Sequence, residues 1–144
     1  MRQRNIFKLI HAIEQMNNEN IIRFTKEFQH PLGISPILVL SELKSKGPRK
    51  QVELAETLGY TKGAMTNIAT KLTKLELAER LYDESDRRTI QLKITPAGEI
   101  ALNEAQEIGQ KVFMELFDVL SEEEINQYLV IQEKLVKGIQ DRKS

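Results

Sequence analysis

Apolar residues recur at three- and four-residue steps from about Arg4 to Gln29: Ile6, Leu9, Ile10, Ile13, Met16, Ile21, Phe24 and Phe28. That spacing lays one apolar face along a long helix, which Pro31 and Gly33 stop. Ser35-Pro36 predicts the start of the next helix, a capping serine followed by proline at the first helical position. Ile34 and Val39 are placed as the hydrophobic staple of that cap, and Gly47-Pro48 ends the helix. Gln51 to Leu58 reads as a short helix and Thr61 to about Leu75 as a longer one. The period then changes. Glu79–Asp83 and Thr89–Ile94 alternate polar and apolar around the turn-forming Glu84-Ser85-Asp86, which predicts a β-hairpin. Thr95-Pro96 opens a further helix carrying Ile100, Ala101, Ala105, Ile108, Val112, Leu116 and Phe117. Ser121-Glu122-Glu123-Glu124 is a capping box with Leu120 and Ile125 as its staple, and Tyr128, Leu129, Leu135, Val136 and Ile139 continue the last helix near a heptad seam.

The expected order is a long helix, three shorter helices, a hairpin and two helices. All four prolines, Pro31, Pro36, Pro48 and Pro96, sit at helix boundaries, so the long segments can run unbroken. The long amphipathic helices at either end exceed what a small core can cover. Two readings follow: an ordinary helical bundle, or a dimerisation layer built from both ends of the chain.

Composition narrows the function classes. The chain has 144 residues, enough for one domain with its own core. With no cysteine there is no disulfide scaffold, cysteine zinc site, thiol nucleophile or thiol redox sensor. No apolar run approaches the ~18 residues of a membrane span, and Met1-Arg2-Gln3-Arg4 does not open a signal peptide. The expectation is a soluble cytoplasmic protein that does not associate with membranes. The 21 Lys+Arg balance 21 Asp+Glu, but unevenly. Residues 1–41 hold five basic and three acidic residues (net +2), residues 42–93 eleven and eight (net +3), residues 94–144 five and ten (net −5). The mildly basic middle matters only if it carries a binding motif.

It does. A helix-turn-helix needs a small residue where its two helices cross, a left-handed turn residue and an apolar residue facing back into the corner. Ala55, Gly59 and Met65 supply these, and Leu54, Leu58, Ile68 and Leu72 complete a small core. Thr61 caps the second helix. Its outward face is then Lys62, Gly63, Thr66, Asn67, Thr70 and Lys71, and the eleven residues from Thr61 to Lys71 include no acid. A solvated helix face usually mixes acids in, whereas these side chains suit base edges and phosphates. Downstream, Asp86-Arg87-Arg88 places arginines at the hairpin, where they suit a narrow minor groove, with Asp86 able to orient its neighbour. Lys50 and Lys74 flank this set.

The stretch from Pro48 through Gly98 resembles the MarR family of transcriptional regulators. The resemblance is carried by Val52-Glu53-Leu54-Ala55-Glu56-Thr57-Leu58-Gly59, Thr61-Lys62-Gly63-Ala64-Met65-Thr66-Asn67, Leu72-Thr73-Lys74, Leu77-Ala78-Glu79-Arg80, Asp86-Arg87-Arg88 and Leu92-Lys93-Ile94-Thr95-Pro96-Ala97-Gly98. Helix order and length match over nearly the whole chain, the end helices in pattern only. The resemblance implies a mainly α fold with a small β-hairpin wing (α+β), a winged helix-turn-helix with long dimerisation helices at both ends. It implies one integrated domain, with residues 1–34 and 117–144 for dimerisation and 35–116 for the DNA-binding region and its linking helix. It further implies a homodimer on a pseudo-palindromic double-stranded DNA operator, usually as a repressor, released by a small-molecule effector. The family's Asp-x-Arg wing motif falls on Asp86 and Arg88, with Arg87 beside them. One departure is plain: Glu76 stands where the family usually has glycine after the recognition helix. A non-glycine there requires a different helix end or a strained one.

The candidate DNA-binding residues are therefore Lys50, Thr61, Lys62, Gly63, Thr66, Asn67, Thr70, Lys71, Lys74, Asp86, Arg87 and Arg88. No cofactor or metal is expected: His11 and His30 lack metal-ligand spacing, and Gly59 and Gly63 are not followed by the Gly-Lys-Ser/Thr of a phosphate loop. Glu122–Glu124 is a helix start rather than a catalytic carboxylate pair, and no enzyme is indicated. The alternative to a transcriptional regulator is a dimeric helical interaction module without operator binding.

Overall fold

Most element boundaries fall at residues whose chemistry starts or stops a helix. The computed structural model describes residues 2–82, 85 and 90–143. In chain order these form α1 (Arg2–Glu27), α2 (Ile34–Lys46), β1 (Arg49–Lys50), α3 (Gln51–Leu58), α4 (Lys62–Lys74), β2 (Ala78–Tyr82), β3 (Ile90–Ile94), α5 (Pro96–Phe117) and α6 (Glu122–Lys143). The chain divides into two compact units, Met1–Gly109 and Gln110–Ser144.

In the first unit the helical spacing of Val39, Leu40 and Leu43 buries one face of α2 against α3, α4 and β3. Leu54, Met65, Ala69, Leu72 and Leu92 join that core, and Ala101, Leu102 and Ala105 line the buried face of α5. The start of α2 corrects the expectation. Gly33 is its N-cap, with extended backbone and no side-chain cap bond, so Ser35 lies inside the first turn. Pro36 is tolerated there because first-turn N–H groups have no acceptor within the helix. The staple positions move with the cap: Leu32 is buried and Ile37 half-buried in the same core, while Ile34 is exposed.

The hairpin forms, one residue earlier in its first strand than the alternation predicts. β2 and β3 pair antiparallel, with Ala78 opposite Ile94, Arg80 opposite Leu92 and Tyr82 opposite Ile90. The sheet also has a third strand that the pattern does not predict. β1 pairs with the other edge of β3, Arg49 opposite Leu92 and Lys50 opposite Gln91, giving the order β1-β3-β2. Asp83 and Thr89, read as strand residues, lie outside the described residues, as does most of the turn between the strands.

At Glu76 the chain takes the strained alternative. Its φ is 62°, the left-handed region, and it is the one non-glycine with positive φ among the described residues. That conformation costs an L-residue about 1–2 kcal/mol. Five hydrogen bonds hold it and the adjoining start of α5. The Glu76 N–H donates to the Thr73 carbonyl, the Leu77 N–H to Leu72, and the Thr95 N–H to Leu77. The Thr95 hydroxyl donates to the Glu76 carbonyl at 2.7 Å and accepts from the Gly98 N–H at 3.0 Å, so one side chain both caps α5 and fixes the turn. Gly98 is buried flush against this turn: a Cβ there would collide with the Leu77 carbonyl oxygen and lie 2.8 Å from Ile94 Cγ1.

In the second unit the predicted capping box is present. The Glu124 N–H donates to Ser121 Oγ at 3.1 Å, and the Ser121 N–H donates to Glu124 Oε1 at 2.9 Å. Phe117 contacts the rings of Phe113 and Tyr128, at centroid distances of 5.9 and 5.8 Å. No residue of α6 is buried, and Leu129, Val130, Ile131 and Leu135 are exposed. The same holds of α1, where Phe7 and Leu9 are exposed and none is buried.

Gly98→Ala is expected to destabilise folding by about 3 kcal/mol, because the new methyl meets backbone rather than a movable side chain. Glu76→Gly is expected to stabilise by about 0.5–1 kcal/mol, the relief of the left-handed residue less the added freedom of glycine in the unfolded chain. Urea denaturation midpoints measure both. A neutral Gly98→Ala, or a destabilising Glu76→Gly, would contradict the clamp.

Candidate nucleic-acid interface

The helix-turn-helix corner forms from the residues expected of it. Leu54 and Met65 are buried and Ala55 half-buried where α3 crosses α4. Gly59 ends α3 at φ 75°, and its N–H and that of Tyr60 both donate to the Ala55 carbonyl. Thr61 is the N-cap of α4: its Oγ1 accepts from the Ala64 N–H at 3.1 Å. Met65, Ala69 and Leu72 then turn into the core, so Lys62, Gly63, Thr66, Asn67, Thr70, Lys71 and Lys74 are all left exposed.

The polar groups of that face differ in availability. Thr66 Oγ1 donates to the Lys62 carbonyl at 2.9 Å, so its proton is committed within the helix. Asn67 and Thr70 have no side-chain hydrogen bond among the described residues, leaving the Asn67 amide both its donors and its acceptor. The charges sort similarly. Lys44, Lys46 and Arg49 are paired with Glu99, Glu42 and Glu53 at 3.3, 3.0 and 3.6 Å. Lys62, Lys71 and Lys74 have no ion pair among the described residues. An exposed pair adds little to stability, but an unpaired cation keeps its full charge for a phosphate.

Lys50 sits on β1 just ahead of α3, where the Glu53 carboxylate accepts from its backbone N–H at 3.2 Å. Pairing with Gln91 sets it beside the hairpin strand. Asp86, Arg87 and Arg88 lie outside the described residues. Two positioning contacts were not read from the sequence. Arg80 Nη1 donates to Thr73 Oγ1 at 3.1 Å, which ties β2 to α4, and Thr95 reaches Glu76 across 19 positions. Nothing local in the sequence signals either. His30 Nε2 lies 3.0 Å from Glu104 Oε2, a contact between the α1–α2 connection and α5. Among the described residues no group of three or more His, Cys, Asp or Glu side chains is placed to hold a metal ion, and no helix is long and apolar enough to cross a membrane.

Comparison with known proteins agrees with this geometry. A family model described as MarR family matches residues 34–90. The HTH-type transcriptional repressor MdtR of Bacillus subtilis is 32% identical over 108 residues, covering 74% of this chain and 70% of that protein. The crystal structure of YusO protein from Bacillus subtilis matches with a TM-score of 0.76 at 26% identity, over 94% of each chain. A mutant of MarR from E. coli, solved in complex with operator DNA, has the same fold, with a TM-score of 0.74 at 22% identity over 91% of this chain and 95% of that one.

Replacing Thr61 by alanine removes the cap of α4 and is expected to cost about 1 kcal/mol of stability. Thr61→Ser, which keeps the oxygen, should restore most of it. Equal unfolding midpoints for the alanine variant and the parent would show that the cap contributes nothing.

Proposed function

This chain belongs to the MarR family of DNA-binding transcription regulators, which are not enzymes, and from that premise we propose that it acts as a homodimer on a pseudo-palindromic operator. The observation that carries the proposal is the exposed face of α4: acid-free from Thr61 to Lys71, with unpaired lysines and a free Asn67 amide. Asn67 and Thr70 read base edges, while Lys62, Lys71, Lys74 and Lys50 hold phosphates. Asn pairs bidentately with adenine in the major groove. Arg88 of the Asp-x-Arg motif enters the adjacent minor groove, with Arg87 nearer phosphate or Asp86.

The exposed apolar faces of α1 and α6 support the dimer. Ile6, Ile10 and Ile13 on α1, and Ile125, Leu135 and Ile139 on α6, are each at least 40% exposed, too much apolar surface in two stripes for a monomer. In this reading residues 1–34 and 117–144 form the dimer layer and 35–116 the DNA-binding region. Two recognition helices then address half-sites about 34 Å apart. Repression is the sign of regulation, as MdtR is described as a repressor. A small-molecule effector releases the operator without thiol chemistry, since the chain has no cysteine. The protein works in the cytoplasm, where its operator is.

Selection of bound duplexes from a random pool tests the proposal: an enriched inverted repeat is expected, and the absence of any enriched sequence would favour a protein-interaction module. On the selected duplex, Asn67→Ala is expected to lose about 1–3 kcal/mol of discrimination at one position per half-site. Lys71→Ala should weaken all sequences alike and reduce the salt slope by about one. Uniform loss by both variants across a mismatch panel would refute these roles. Sedimentation at micromolar concentration is expected to show a dimer, and a stable monomer would refute the α1 and α6 assignment.

A further inference from the structure

Beside the exposed face of α4 lies a cavity of about 220 Å³ between α3 and α4, lined by Gln51, Val52, Ala55, Met65 and Thr66 together with the charged Glu56 and Lys62. Its walls are mostly apolar. Val52 is 62% exposed although it belongs to a helix that otherwise turns its aliphatic side chains inward. Thr66, on the α4 side of the same cavity, has its hydroxyl proton bound to the Lys62 carbonyl. With Oγ1 turned back onto its own helix, tetrahedral geometry at Cβ leaves the methyl group as what Thr66 presents outward. Two apolar groups therefore flank a notch on a face that is otherwise polar and cationic.

We infer that Val52 and Thr66 form an apolar reader for the C5-methyl group of a thymine in each half-site. The inference rests on the DNA-binding reading of α4. The argument for this occupant is chemical. The thymine methyl is the one apolar group on the base edges of the major groove, and although Glu56 offsets Lys62 within the lining, the lysines of α4 beside the notch, Lys62, Lys71 and Lys74, have no ion pair among the described residues and favour a phosphate-bearing partner. Thr66 thus contributes to specificity through its methyl group rather than by donating a hydrogen bond. Val52, on the first helix of the motif, becomes a specificity residue.

Replacing single thymines by deoxyuridine removes the methyl and leaves pairing and hydrogen bonding intact. The probe is the duplex that the full-length protein selects from a random pool, and binding is read by fluorescence anisotropy. Burial of one methyl corresponds to about fourfold in affinity, so deoxyuridine at one thymine position of a half-site is expected to weaken binding about fourfold, and at the other positions hardly at all. Thr66→Ser keeps the hydroxyl and loses the methyl, and Val52→Ala trims the opposite wall; both together should abolish the deoxyuridine effect. Thr66→Val, which keeps a methyl and loses the hydroxyl, should retain it. Circular dichroism confirms that each variant is folded before binding is compared. Sequence-specific binding indifferent to deoxyuridine at every position would overturn the notch alone, as would a deoxyuridine effect that persists in the double variant. Failure to select any duplex would overturn the DNA-binding reading and the notch together.

Discussion

The fold turns on one residue held in a conformation it disfavours. After α4 the chain reverses over the three residues Leu75–Leu77 to begin β2, and Glu76 takes the left-handed conformation there at φ 62°. The energy comes from outside the turn. The Thr95 hydroxyl reaches the Glu76 carbonyl, and the Thr95 N–H reaches the Leu77 carbonyl. Gly98 lets the first turn of α5 lie against Leu77 with no Cβ between them. Arg80 then fastens the first residues of β2 to Thr73 on α4. Recognition helix, sheet and the start of α5 are thereby linked by hydrogen bonds rather than by chain connectivity alone, and the side chains of α4 face solvent in a defined orientation.

That orientation matters because the reading face is chemically incomplete by itself. Thr66 is satisfied within its helix, whereas Asn67, Thr70 and the three lysines of α4 lack partners among the described residues. In water such groups cost nothing, since solvent satisfies them. In the proposed complex they would supply the two kinds of contact an interface needs, phosphate contacts that fix register and base contacts that discriminate. A net charge of zero is compatible with this, because Lys44, Lys46 and Arg49 are paired with Glu99, Glu42 and Glu53, whereas the lysines of α4 have no ion pair among the described residues.

Much of this was legible in the residues. Helices with strong end signals were read to within two residues at most ends: Gly47 and Gly59 at helix ends, Thr61 and Ser121 at helix starts. Ser35 misled because a residue in the first turn resembles a cap in composition, and Gly33, which lacks a side chain to signal with, is the real one. β1 left no trace because two residues carry no period. The glycine normally expected at position 76 marked the turn correctly, but which of two outcomes a glutamate would take depended on Thr95, 19 residues away. The exposed polar face of α4 was found from composition and helical spacing. What spacing did not disclose was which of their polar atoms are already used, and that distinction separates Thr66 from Asn67. The apolar stripes of α1 and α6 were legible as stripes; their extent of exposure was not.

The claim on which the account rests is that α4 lies in the major groove. Methylation interference with dimethyl sulfate tests it directly, because the reagent marks guanine N7 in the major groove and adenine N3 in the minor groove. With α4 in the major groove, strong interference is expected at guanine N7 in two segments centred about one helical turn apart, with adenine N3 interference confined to their flanks. Binding that tolerates N7 methylation throughout and is blocked only at N3 would place the protein in the minor groove and contradict the account.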